Sequence, residues 1–340
     1  MASPTSFRLH LDTERWPLKS PFRITGHVWE ALEIVVVGLE ASGFVGRGEA
    51  AGVYYHSETA ASMTKQIEAV RGLIESRGIS TESLQSLLPP GGARNALDCA
   101  LWDWRAQAVG KPVWQLAGLC EPQPILTTFT CGADKPEGMA AMARGYERAR
   151  AIKLKLTGEA VDADRVRAVR AARPEVWLGV DANQGFTRES LERLMPTLVS
   201  ARVALIEQPF RVGQEALLDG LNSPIPVAAD ETVQHLGDVA ALAGRFQVMN
   251  IKLDKSGGLT EALAMARAAK AEGLDLMVGN MMGTSLAMAP AYLVGQLCQV
   301  VDLDGVVFLK SDREEHIEYV DGLIRCPAEV WGAPSRGALS

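Results

Sequence analysis

Between about Thr127 and Leu303, short apolar runs return at a nearly constant interval. They centre near Phe129, Leu154, Val180, Leu205, Val227, Ile251, Met277 and Leu303, in steps of about 22 to 27 residues. Each run suits a buried strand. The gaps carry helical patterns, clearest at Pro136–Arg150, Asp162–Ala172, Arg188–Val199 and Thr260–Glu272. One strand, one loop and one helix fill such an interval, so the chain reads as consecutive βα units. Eight strands in succession predict a (β/α) barrel. A doubly wound sheet is the second possibility, but the chain lacks its Gly-x-Gly-x-x-Gly turn. No eighth full helix follows Leu303, which makes the barrel a (β/α)7β variant of the TIM barrel.

The first third has a different rhythm. Phe7–Leu11, Leu32–Leu39 and Phe44–Ala50 read as strands, with Ala41-Ser42-Gly43 as a turn and Pro17–His27 as a loop rich in turn formers. Glu58–Arg77 has helical spacing at Met63, Ile67, Val70 and Ile74. After the break Pro89-Pro90-Gly91-Gly92, a second helix is expected over Ala93–Val109. The expected organisation is an N-terminal α+β capping domain over residues 1–118, the barrel over 119–305, and a C-terminal segment, 306–340, whose apolar residues return to complete the cap.

A chain of 340 residues with 47% hydrophobic residues can fill a core of that size. The net charge of −7 argues against nucleic acid or an anionic membrane surface as a partner. Met1–Leu11 has no apolar stretch of the kind that marks a secretory signal, and no run reaches membrane-spanning length. The five cysteines are scattered, odd in number and without a Cys-x-x-Cys pair, as expected of reduced thiols in the cytoplasm.

Three acids close three successive strands: Asp181 in Gly-Val-Asp-Ala-Asn, Glu207 in Leu-Ile-Glu-Gln-Pro and Asp230 in Val-Ala-Ala-Asp-Glu. Hard oxygen ligands at the C-terminal ends of neighbouring parallel strands converge on one point, which suits Mg²⁺. Strand alternation adds more. In Ile152-Lys153-Leu154-Lys155-Leu156 the apolar residues face the helices, so Lys153 and Lys155 face the barrel interior. In Met249-Asn250-Ile251-Lys252-Leu253 the same parity turns Asn250 and Lys252 inward. Taken singly these residues have plainer readings: Lys-x-Lys as a solvated edge, an Asp as a helix N-cap, Lys255 as an exposed lysine, Gly257-Gly258 as a turn or phosphate nest. Three lysines and three acids in register on strands two to six need partners or a metal.

These residues resemble the enolase superfamily, muconate-lactonizing subgroup, and within it the dipeptide epimerases of the alanyl-glutamate type. The resemblance spans nearly the whole chain. It implies Asp181, Glu207 and Asp230 as ligands of one Mg²⁺ per subunit. It implies Lys155 and Lys252 as the two acid/base lysines and Lys153 as a substrate-side lysine. Asp302-Leu-Asp304 matches an Asp-x-Asp that holds a dipeptide's α-ammonium, and Thr130 and Asn280 fall where substrate contacts are made. The segment Gly283-Thr284-Ser285-Leu286 departs from the pattern, having no cation for an acidic second residue. The loops Phe22–His27 and Gly52–His56, with Arg23, Tyr54 and Tyr55, are expected to cover the site and shape side-chain choice.

The chemistry so implied is epimerisation of the second residue of a dipeptide through an enolate, with glutamate there not favoured. One base on each face of the α-carbon is required, and strands two and six lie opposite each other in an eight-stranded barrel. Lys153 beside Lys155, together with the nearby metal, is expected to lower the pKa of that base by like-charge repulsion. Such sites, with a Lys or His base and Mg²⁺, are a general pattern. The competing expectations are o-succinylbenzoate synthase, N-succinylamino acid racemase or a cycloisomerase of the same superfamily, and an inert metal-binding structural protein. Asp302-x-Asp304 speaks against the first group, whose substrates lack an ammonium, and retention of both Lys155 and Lys252 against the second. A homo-oligomer is expected.

Overall fold

The computed structural model describes residues 5–24 and 27–334, without the side chains of residues 23, 24 and 27. Strands β1 (Arg8–Ile24), β2 (His27–Ala41) and β3 (Phe44–Ala50) form an antiparallel sheet in sequence order. Here the structure corrects the loop expected at Pro17–His27. The β1–β2 ladder runs from Arg8↔Glu40 to Pro17↔Ala31, shifts register, and resumes at Phe22↔Trp29. The turn formers between are absorbed as a bulge, where a proline without an N–H costs the ladder nothing. The long hairpin therefore carries Phe22 and Trp29 past the part of the sheet that β3 joins. Thr25 and Gly26 lie outside the described residues, as does the Arg23 side chain.

Helices α1 (Ala60–Ser76), α2 (Thr81–Leu87) and α3 (Gly92–Val109) follow. α1 buries Met63, Ile67 and Ile74 against the sheet. The short α2 was not predicted. Its signal is a reciprocal cap between Ser80 and Ser83 rather than an apolar period. α3 is buried on most of its faces because it lies between the sheet and the barrel. Arg94 donates to the Ser256 carbonyl (2.6 Å) and pairs with Glu261, and Asp98 accepts from Thr260 N (2.9 Å). Gly257 (φ 78°) and Gly258 (φ 116°) make room for this. A Cβ on them would lie 2.2 Å from Arg94 Nε and 2.5 Å from Asp98 Cβ. The pair is a packing turn, not a phosphate nest.

After α4 (Val113–Leu116) and β4 (Ile125–Leu126), the barrel is built from β5 (Thr128–Cys131), α5 (Pro136–Gly145), β6 (Ala151–Lys155), α6 (Asp162–Ala172), β7 (Trp177–Asp181), α7 (Arg188–Ser200), β8 (Leu205–Glu207), β9 (Val227–Ala229) and β10 (Val248–Ile251). Then come α8 (Leu253–Ser256), α9 (Leu259–Ala271), β11 (Asp275–Val278), α10 (Ser285–Gly295) and β12 (Val300–Val301). Strands β5 to β12 pair in sequence order, and every adjacent pair is parallel. Only 3₁₀ turns follow β8 and β9, at Glu215–Leu218 and Leu236–Leu242. Inside, Leu205, Ala228, Val248 and Met277 close the floor, with Trp177 and Val300 packed against them.

The ring is nearly closed, and side chains span its seam. Thr127 Oγ1 donates to the Val301 carbonyl (3.3 Å) and accepts from Leu303 N (3.0 Å). Thr128 Oγ1 donates to Asp302, and Thr130 N donates to Asp304 Oδ2 (2.6 Å). The tail reaches the first sheet: Arg313 bonds Glu14 and Glu49, and Arg47 Nη2 donates to the Val330 carbonyl (2.6 Å). It also forms the hairpin β13 (Glu318–Val320) and β14 (Leu323–Arg325), which pairs with β4. No described helix is long and apolar enough to cross a membrane.

Candidate active site

Alternation places the charged groups. On β6, Ile152 and Leu154 are fully buried among the helices, and Lys153 and Lys155 turn into the barrel. Lys153 Nζ lies 3.2 Å from Glu207 Oε2 and 3.6 Å from Asp181 Oδ2, and pairs with Asp302. Lys155 Nζ lies 2.5 Å from Asp181 Oδ2. From the far side, Lys252 Nζ is 2.6 Å from Asp230 Oδ2, and Asn250 Nδ2 donates to Glu207 Oε1 (2.8 Å). Gly279 leaves space for the Lys252 stem, since a Cβ there would stand 2.9 Å from Lys252 Cε. Asn280 Nδ2 donates to the Asp302 carbonyl (2.7 Å), and its Oδ1 accepts from Met282 N (2.8 Å).

The structure thus brings together the ten residues singled out in the sequence. Thr130, Lys153, Lys155, Lys252, Asn280, Asp302 and Asp304 line one cavity at the barrel mouth. Asp181, Glu207 and Asp230 lie beneath the lysines, 0%, 0% and 1% exposed. The roof is aromatic and apolar: Phe22, Trp29, Tyr54, Phe308, Met281 and Met282. Leu286 does not line the cavity. It faces the outer core on α10, and Met281 and Met282 form that wall instead.

Three neighbours outside those ten also enter the site. Lys255 is buried, not exposed. Its Nζ holds the Asp230 carbonyl (2.6 Å), Asp230 Oδ1 (2.7 Å) and the Asn250 carbonyl (3.2 Å). Glu231 is 4% exposed, and its Oε1 accepts from Asn183 Nδ2 (3.3 Å). Period-two parity would turn Glu231 outward, but β9 ends at Ala229 and alternation ends with it. Asp254 Oδ1 accepts from Ala51 N (3.1 Å) and Gly52 N (3.3 Å), tethering the turn that carries Tyr54.

Burial pushes the Glu207 carboxyl up to about 8, with the Asp181 charge adding to it. Burial and Asp230 push Glu231 up to about 7, and burial and Asp302 push Asp304 up to about 7. Asp230 goes the other way: burial raises it, but Lys252 and Lys255 outweigh that and hold it well below the usual carboxylate range. At Lys252 burial and the Lys153 charge lower the pKa, but Asp230 and Glu207 outweigh them and hold it well above the ordinary lysine value. Lys255 is lowered, chiefly by burial.

Six buried carboxylates (Asp181, Glu207, Asp230, Glu231, Asp302 and Asp304) face four buried ammoniums (Lys153, Lys155, Lys252 and Lys255). Their hard oxygen donors, with two carboxyls more than there are lysines, fit a divalent cation. Among the described residues no three acids form a ready-made cage, because Lys155 and Lys252 hold Asp181 and Asp230.

Residues 7–118 match the mandelate racemase / muconate lactonizing enzyme N-terminal domain, and residues 138–330 the enolase C-terminal domain-like family. The chain belongs to the enolase superfamily. This superfamily member is 38% identical over 311 residues to the L-Ala-D/L-Glu epimerase of Escherichia coli K12, covering 91% of the chain and 96% of that protein. It is 37% identical over 292 residues to an N-acetyl-D-glutamate racemase of a Pseudoalteromonas species, covering 85% and 91%. The crystal structure of a dipeptide epimerase from Methylococcus capsulatus, complexed with Mg and L-Arg-D-Lys, superposes with a TM-score of 0.88 at 30% identity, covering 95% of the chain and 98% of that protein. Its relatives are epimerases and racemases, and the chain is an isomerase of that class.

Proposed function

We propose that the chain is a Mg²⁺-dependent dipeptide epimerase that inverts the α-carbon of the second residue. The observation that carries this reading is the placement of Lys155 and Lys252. They stand on β6 and just past the end of β10, strands four apart in an eight-stranded ring, and both reach the same bed of carboxylates. A substrate carbon between them meets one ammonium on each face. One lysine, in its neutral form, takes the α-proton, and the other returns a proton from the opposite face through an enolate. Asp181, Glu207 and Asp230 would hold the cation, which supplies Lewis-acid stabilisation of the charge developing on the substrate carboxylate. With Asp230 engaged as a ligand, Lys252 would lose part of the charge that holds it protonated, which would favour the neutral amine a base needs.

Asp302 and Asp304 hang from the seam beside Lys153 and suit a substrate ammonium. The reading places a capping region at 1–118, the catalytic barrel at 119–305 and a returning tail at 306–340. It also places the protein in the cytoplasm, in keeping with five free cysteines, and as a homo-oligomer, which mass in solution checks.

One of the named relatives is an L-Ala-D/L-Glu epimerase and another an N-acetyl-D-glutamate racemase, and here the reading departs from both. The roof stacks Phe308 on Phe22 (4.6 Å), Phe22 against Trp29 (6.2 Å) and Trp29 against Tyr54 (5.2 Å). Among the described lining residues the only cations are Lys153, Lys155 and Lys252. A second-position glutamate would sit unpaired against apolar rings. Apolar side chains suit this roof, and a cationic one is tolerated over ring faces. Ala-Phe and Ala-Leu should exceed Ala-Glu by about tenfold or more in kcat/KM. A strong preference for Ala-Glu over Ala-Phe, Ala-Leu and Ala-Lys would contradict this.

Asp304→Asn removes a charge-assisted contact worth about 1.5–3 kcal/mol, so kcat/KM for dipeptides should fall about 10- to 100-fold. N-acyl amino acids lack the ammonium and serve as controls. If N-acetyl or N-succinyl amino acids outperform dipeptides on the unmodified protein, the dipeptide assignment fails. Chelation with EDTA should abolish turnover and added Mg²⁺ restore it, whereas full activity in metal-free protein would remove the proposed centre.

A further inference from the structure

Glu231 has a carboxylate oxygen with no task inside the protein. Its Oε1 is held by Asn183, whose own backbone N–H donates to Asp181 Oδ1 (2.8 Å). Its Oε2 is buried and finds no hydrogen-bond partner among the described residues. A buried carboxylate oxygen left in this way is costly unless something outside the chain satisfies it. No lysine reaches it: Lys252 and Lys255 bond Asp230, and Lys155 bonds Asp181. Yet the charges of Asp230, Asp181, Lys252 and Lys255 all bear on it. Asn183 therefore links the proposed ligand Asp181 to Glu231, which follows the proposed ligand Asp230 in the chain.

We infer that Glu231 is a fourth carboxylate of the cation centre, whose free oxygen accepts a hydrogen bond from a water carried by the divalent cation. This rests on the Mg²⁺ reading above. Glu231 is a positioning residue here, acting on the cation rather than on substrate. Outer carboxylates of this kind change metal affinity about 10- to 100-fold when removed. They also leave the protein carrying an uncompensated buried charge when the cation is gone.

The test is equilibrium Mg²⁺ binding by calorimetry on the full chain, with thermal unfolding in EDTA and in saturating Mg²⁺. Glu231→Gln keeps the shape and removes the charge. Its Mg²⁺ Kd should weaken by about 10- to 100-fold. In EDTA its Tm should equal or exceed that of the unmodified protein, because a repulsive buried charge is lost, and the Tm gain at a fixed subsaturating Mg²⁺ concentration should shrink. A Kd within twofold of the unmodified value overturns the inference. So does a lower Tm in EDTA with unchanged Mg²⁺ affinity, the signature of a merely structural residue. If Glu231→Gln does not fold, Glu231→Asp, which keeps the charge and withdraws the oxygen by one methylene, is titrated instead against the same criterion. If the unmodified protein itself takes up no Mg²⁺, the metal reading fails and this inference falls with it. If the unmodified protein binds Mg²⁺ and the variant binds it equally well, only the role of Glu231 fails.

Discussion

Lys155→Met is expected to abolish epimerisation while leaving α-proton exchange for one epimer intact. Methionine keeps the length and apolar packing of the lysine stem and removes only the ammonium. Inversion needs a proton taken from one face of the carbon and returned to the other, so losing either lysine stops it. Lys252, held over Asp230 at 2.6 Å on the far side of the ring, still reaches its own face. In D₂O with Mg²⁺ the variant should exchange the α-hydrogen of one epimer without inverting it, and Lys252→Met should exchange the other. Losses of at least about 10³-fold in epimerisation are expected, the scale of general acid–base catalysis. Mass gain and chiral separation on the two epimers read both quantities at once. Near-normal epimerisation by both single variants would show that neither lysine is an essential base. Loss of exchange for both epimers together in one variant would make that lysine a binding or electrostatic group.

The second large effect concerns stability. Glu49 on β3 is 1% exposed and accepts from Thr284 N (2.7 Å), Thr284 Oγ1, Arg313 Nη2 (2.8 Å) and Arg313 Nε (3.2 Å). Arg313 also bonds Glu14 Oε2 (2.9 Å) and lies over the Trp16 ring. One ion pair thus joins the first sheet, the loop after β11 that carries Met281 and Met282, and the tail. Breaking a buried pair by removing one partner costs about 3–5 kcal/mol. Arg313→Met should therefore lower Tm by about 4–7 °C in a chain of this size.

The pH dependence has a definite sign. Burial raises the Glu49 pKa despite Arg313. A carboxyl raised in the folded state contributes stability at low pH that is lost as pH rises through the folded value. Removing Arg313 raises that value further, so the Tm deficit of Arg313→Met should be smallest in mild acid and grow toward neutral pH. Adding Glu49→Gln should recover part of the loss, because the stranded charge is gone. Additive losses in the double variant would show that the two residues act independently.

Much of this architecture is legible locally. A βα interval near 25 residues and the strict alternation in Ile152–Leu156 and Met249–Leu253 are properties of neighbouring residues. They predict both the ring and the inward turn of Lys153, Lys155, Asn250 and Lys252. The acids closing β7 and β8, and Asp230 just past β9, follow the same rule, because a strand's backbone fixes its side-chain direction without reference to the rest of the molecule.

What only the tertiary structure decided lies where that rule stops. At Pro17–His27 the composition of a loop became a bulged hairpin, since the partner strand supplied the pairing that local propensity could not. Past Ala229 the alternation ends, so the inward position of Glu231 depends on Asn183, 48 residues away. For Lys255 and Gly257-Gly258 a surface reading stays open in the sequence, and the docking of α3 and the bond to Asp230 decide it by burying them. Leu286 carried the expected side-chain choice, but helix geometry turned it into the core and left the roof to Phe22, Trp29, Phe308 and Met282. Direction along one strand is a local property of the chain. Which charges meet, and which of them are left without a partner, depends on segments far apart in sequence brought together by the burial of apolar surface.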